Sequence, residues 1–98
     1  MSTDVCDDRR SEVTGGNESQ RIGVVGIVVR DRIKNAPKVN QVLSDYAHII
    51  VGRMGIPYRD RGVSVIALIV DGDTDTIGAM TGKLGSLPGV RVKTALTP

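Results

Sequence analysis

Ninety-eight residues with a formal net charge of +2 make room for one small domain, and an aromatic content of 2% with no Phe or Trp leaves its core to Val, Ile, Leu, Met and Ala. No apolar run is long enough for a membrane span and the first residues lack the apolar segment of a secretory signal. A single cysteine, Cys6, excludes an internal disulfide, so a cytoplasmic protein is expected.

The first twenty residues, MSTDVCDDRRSEVTGGNESQ, are polar and aperiodic and carry five acidic against two basic side chains. They read as a disordered tail, too short and too polar for a DNA-binding helical module, with Cys6 an exposed thiol. The remaining residues, 21–98, carry eleven basic against six acidic side chains and form the domain.

RIGVVGIVVR (21–30) is β-branched and reads as a strand. From Asn35 to about Ala47 the period changes: Val39, Val42, Leu43 and Tyr46 recur at three and four residues, one face of a helix. Asn35 suits its cap and Pro37 its first turn. HIIVGRM (48–54) and VSVIALIVD (63–71) read as two more strands, and GIPYRDRG (55–62) as an overlong cationic connection between them. Asp73 or Thr74 caps a second helix running to about Leu87, with Ile77, Met80, Leu84 and Leu87 on one face. VRVKTAL (90–96) is the last strand.

The order β-α-β-β-α-β is the ferredoxin-like arrangement: an α+β sandwich, a four-stranded antiparallel sheet with two helices on one face. Strands one and three are apolar on both faces and should be central; two and four carry His48, Arg53, Arg91 and Lys93, as edges do. Two helices cover only one face, so the other would leave several Val and Ile side chains in water. Such a patch predicts an obligate homo-oligomer, a dimer or tetramer.

This topology brings three connections to one end of the sheet, where Arg30, Arg32, Lys34, Arg53, Arg59 and Arg61 converge against Asp31 and Asp60 beside the first helix N-terminus. The opposite end carries Asp71, Asp73 and Asp75. Arg30, Asp31, Arg32, Asn35, Arg53, Tyr58, Arg59 and Arg61 are the candidate residues for an anionic or amino-acid-like effector, and the alternative is that these charges pair locally or across subunits. Gly78, Gly82 and Gly85 in the second helix suggest close approach to the sheet or to a neighbouring subunit. GAMTGKL has the outline of a phosphate loop, but one residue too few separates its glycines and Leu84 stands where Ser or Thr must hold magnesium. His48, alone, is a poor metal ligand. No nucleophile–base pair is visible, so neither an enzyme nor a cofactor is expected.

GRMGIPY, the DGDTDTIG turn and helix start, and TGKLGSLPGVRVK, in that order with RIGVVGIVVRDR upstream, resemble the iron-only hydrogenase system regulators over about residues 21–96. That family is similar to ACT domains and to the effector-sensing domain of nickel-responsive repressors. The resemblance implies an ACT-like, oligomeric, regulatory module holding a small effector at a subunit interface and communicating with a partner protein. It does not extend to nickel, which needs several His and a Cys, nor to a ribbon-helix-helix arm. Two other readings stay open: a purely structural assembly module, and a basic oligomer binding DNA directly, whose affinity would fall steeply with salt.

Overall fold

The computed structural model describes residues 20–98. The tail expected over residues 1–20, Cys6 included, lies outside the described residues except for Gln20, which opens the first strand. Strand β1 spans Gln20–Arg30, helix α1 Arg32–Asp45, β2 Ile50–Tyr58, β3 Val63–Asp73, helix α2 Thr74–Gly85 and β4 Val90–Leu96. The sheet order is β2-β3-β1-β4 with every pair antiparallel, so β1 and β3 are central and both helices lie on one face. This is the α+β ferredoxin-like sandwich that the element order implies.

The alternation of apolar residues builds the core. Val25, Ile27 and Val29 of β1 and Ile66, Leu68 and Val70 of β3 are buried on the helix side. Val39 and Leu43 of α1 and Ile77, Met80 and Leu84 of α2 close over them. Fully burying each such side chain contributes about 1.5–3 kcal/mol. The helix faces fall where the spacing of apolar residues puts them, with Val42, Tyr46 and Leu87 packed at the margin.

Several boundaries differ from the sequence expectation. Helix α1 begins three residues before Asn35, which is therefore not its cap. Asp31 takes the cap position in a left-handed conformation (φ 50°, ψ 63°) without a side-chain cap bond. Its carbonyl accepts from the N–H groups of Lys34 and Asn35. A one-residue connection leaves no other way to swing from strand to helix, and Asp tolerates this region better than most residues. Asn35 instead sits in the first turn, 4% exposed, donating to the Arg30 carbonyl at 2.7 Å.

Strand β2 starts two residues later than expected and continues through Tyr58, four residues beyond Met54. Most of GIPYRDRG is thus strand. The connection proper is Arg59–Gly62, a 3₁₀ turn closed by Gly62 at φ 68°. Pro57, which cannot donate to a ladder, is tolerated because β2 is an edge. Between Ile50, opposite Val70, and Gly52, opposite Ile69, the register shifts: Val51 is the extra residue of a β-bulge. The strand β3 also runs two residues past Asp71. Asp73 caps α2, its Oδ1 accepting from the Thr76 N–H at 2.6 Å, and α2 ends at Gly85, two residues short of Leu87.

Glycines 78, 82 and 85 are exposed on α2, and a Cβ at any of them would meet nothing within 4 Å. They do not serve a close approach to the sheet.

Candidate functional site

The sheet divides the candidate residues into two groups. Side chains alternate across the sheet, so register decides which side each one reaches. Arg30 lies opposite Val63, which also pairs with Tyr58. Arg30, Tyr58 and Arg61 therefore gather on the open face. With Arg91 of β4 they line a shallow concavity of about 710 Å³ floored by Val28 and Val65.

Arg53 lies opposite the buried Leu68, which puts it on the helix side. It shares a groove there with Arg32 of the first turn of α1, a cavity of about 160 Å³ between α1 and the β2 edge. Its Nη2 donates to Asn40 Oδ1 at 3.2 Å. Arg59 sits at the end of the sheet beside Arg32, in a cleft also lined by Pro57 and Gly62. Asp31 holds the turn by its backbone. Asn35 is a packing and hydrogen-bonding residue of the β1–α1 junction, too buried to meet a ligand. The cationic residues expected to converge here are thus divided between the two sides of one sheet, with Arg59 at its end.

The sequence reading did not include Arg91 and Asn40, which line these two hollows. Arg91 is the second residue of β4 and lies opposite Val28, so alternation from the buried Val90 was the signal that points it to the open face. Asn40 precedes no recognisable motif; only the groove reveals it.

The open face itself is broadly apolar. Val24 is 53% exposed, Ile69 49%, Met54 64% and Ile56 53%, with Ile22 and Tyr58 at either end. Val24 pairs with Ile69, and Val65 lies between Val28 and Ile56, so these side chains form one continuous surface over three strands. Arg30, Arg61 and Arg91 rim one end; Asp71, opposite Ile22, marks the other.

His48 lies in a 3₁₀ turn, Ala47–Ile49, ahead of β2 and stacked near Tyr46 at 6.4 Å between centroids. Lys83 Nζ sits 5.2 Å from the Tyr46 ring centre. Among the described residues no three His, Cys, Asp or Glu side chains cluster as a metal site would require. No helix among them is long and apolar enough to cross a membrane. The Asp73 carboxyl is held below the usual aspartate range, first by the Thr76 backbone N–H and then by the Thr76 side chain.

Residues 21–94, which include both sets of arginines, match the model of the TM1266-like family, described as "Iron-only hydrogenase system regulator, putative". The chain belongs to this family. The uncharacterised protein TM1266 from Thermotoga maritima is 42% identical and superposes with a TM-score of 0.78, over 81% of this chain and 99% of that one. An unknown protein from Galdieria sulphuraria shares the fold at a TM-score of 0.56 and 16% identity, over 81% of this chain and 46% of that one. No curated protein matches. The TM1266-like match takes in both helices and all four strands but for the first residue of β1 and the last two of β4, and the family's description as a regulator agrees with the function class that the resemblance implies.

Proposed function

We propose that this chain is a cytoplasmic, non-catalytic regulatory module of an iron-only hydrogenase system. It acts as a homo-oligomer and responds to a small anionic effector bound at its cationic end. The observation that carries this reading is the uncovered apolar face over β1, β2 and β3. Monomeric soluble proteins rarely leave so continuous an apolar surface in water.

A second copy is the occupant that the charge pattern favours. A two-fold axis lying between two such sheets, across their strands, sets the Asp71 end of each copy over the Arg30, Arg61 and Arg91 end of the other. The apolar centres then cover each other, and the pairing is self-complementary as an isologous dimer requires. In such a pair the arginine concavity gains a second wall. Effector binding at the cationic end would alter affinity for a partner protein only by favouring one of two states of the assembly.

Sedimentation velocity at micromolar concentration tests the assembly: a dimer or tetramer is expected, and a clean monomer overturns the reading. A thermal-shift screen with small carboxylates, phosphates and amino acids tests the effector. Stabilisation by one class is expected. If none stabilises and the oligomer persists, a purely structural module is the better description.

A further inference from the structure

The groove on the helix side is a built cavity with its own chemistry. Two small residues create it. Gly55 lies on β2 opposite Ile66, where any other residue would project a side chain inward; Ala36 faces it from α1. A Cβ at Gly55 would meet only Ile66 Cγ1, at an ordinary 3.8 Å, so the space is open rather than packed shut. Val29, Val39 and Ile66 form its floor. Arg32 and Arg53 line it as well, and no Asp or Glu does among the described residues.

Arg53 is held in place. Its bond to Asn40 uses one donor of a planar group that has five, leaving the rest for a ligand. A guanidinium engages carboxylate in a bidentate fork. The volume, about 160 Å³, matches the roughly 150 Å³ of an apolar cavity that accepts benzene, so an apolar body of about six carbons fits. An apolar floor, cationic rim and missing acid together select against a zwitterion, because its ammonium would sit beside two arginines with no carboxylate to pair.

We propose that the groove between α1 and the β2 edge binds a small monocarboxylate with a compact branched or cyclic apolar tail. The tail enters between Ala36 and Gly55 and the carboxylate rests on Arg53 and Arg32. This rests on the effector-binding reading above and assigns the effector to the helix-side groove of the cationic end.

Titration of the ¹⁵N-labelled protein with 4-methylpentanoate, 4-methylpentanamide, leucine and inorganic phosphate tests it. Saturable shifts of the Ala36, Gly55 and Ser64 amides are expected with the carboxylate at millimolar concentration, and at least about tenfold weaker binding with the amide and with leucine. Arg53→Gln should weaken carboxylate binding about tenfold, and Gly55→Leu, which fills the groove, should abolish it while the spectrum stays dispersed. Should Gly55→Leu fail to fold, Arg32→Gln and Arg53→Gln together carry the same test. Equal binding to wild type and Gly55→Leu, or shifts confined to the open face, would overturn the site but leave an effector elsewhere. No carboxylate binding while phosphate binds would overturn the ligand class alone. If neither class binds, the effector reading falls with it.

Discussion

Asn35 and Arg30 are joined by a hydrogen bond of 2.7 Å from a buried side-chain amide to the carbonyl at the end of β1. The Arg30 N–H in turn donates to the Gly89 carbonyl at 2.8 Å, so the two residues tie α1, β1 and the entry to β4 together. Asn35→Leu leaves the Arg30 carbonyl without this donor in a partly buried place. It should cost about 1–3 kcal/mol. In a domain of this size that lowers the melting temperature by roughly 4–8 °C per kcal/mol, readable by calorimetry. An unchanged melting temperature would mean that water replaces the amide.

Gly72 and Ile49 form the second junction that tolerates no enlargement. A Cβ on Gly72 would lie 2.8 Å from Ile49 Cγ2 and 3.2 Å from its Cβ. Ile49 is β-branched and 6% exposed, so it cannot swing aside. Gly72→Ala should destabilise by about 1–3 kcal/mol. In the Ile49→Ala background the same change should cost far less. A double-mutant cycle by urea denaturation reads the coupling, and additive effects would refute the clash.

The open face makes a separable prediction. Val24→Glu places a charge at the centre of the exposed surface, against Ile69. The side chain is already half in water in a single copy, so the fold should survive with an unchanged circular dichroism spectrum. The assembly should dissociate, weakened by at least about tenfold in its dissociation constant. Retention of the oligomer with Val24→Glu would exclude this face as the interface.

Asp73 carries a pH dependence with a definite sign. Its carboxylate is favoured in the folded protein by the Thr76 N–H, and the α2 N-terminus adds to this. A group with a lowered folded pKa stabilises above its unfolded value, about 3.9, and loses that contribution as the pH falls through the lower folded value. Asp73→Asn keeps an acceptor for the cap and removes the charge. Its melting temperature should lie below wild type at pH 6 and approach it below about pH 4. A constant difference across this range would mean that the charge has no part.

The fold was legible because two periodicities carry it. Val25, Ile27 and Val29 alternate, Ile77, Met80 and Leu84 recur at helical spacing, and both patterns survive in the packed chain. The open face was legible for the same reason, since Val24 and Ile69 can only point away from those buried neighbours. The boundaries were harder. Asp31 supports a helix start from a left-handed conformation, which no local signal distinguishes from an ordinary loop aspartate. Asn35 resembles a cap by type, yet its amide is spent backwards on Arg30. In the candidate site, proximity along the chain suggested one cluster. Alternation along β2 separates Arg53 from Tyr58, and it was hidden because the strand was read as ending at Met54, with Tyr58 in a loop.

That bulge at Val51 decides what each surface of the molecule is made of. The extra residue sets Arg53 opposite Leu68 and Met54 opposite Ala67. Flattening the bulge, so that Val51 pairs with Ile69 while Ile50 stays opposite Val70, would turn the rest of β2 inside out. Arg53 would join the apolar face, and Met54 and Ile56 would enter the groove beneath α1. That shift of one residue in register, with no change of composition, would exchange the arginine-rimmed groove for a greasy one and put a charge on the exposed apolar face. Deleting Val51 outright would do neither, because Gly52 would still meet Ile69 and every later pairing would keep its face.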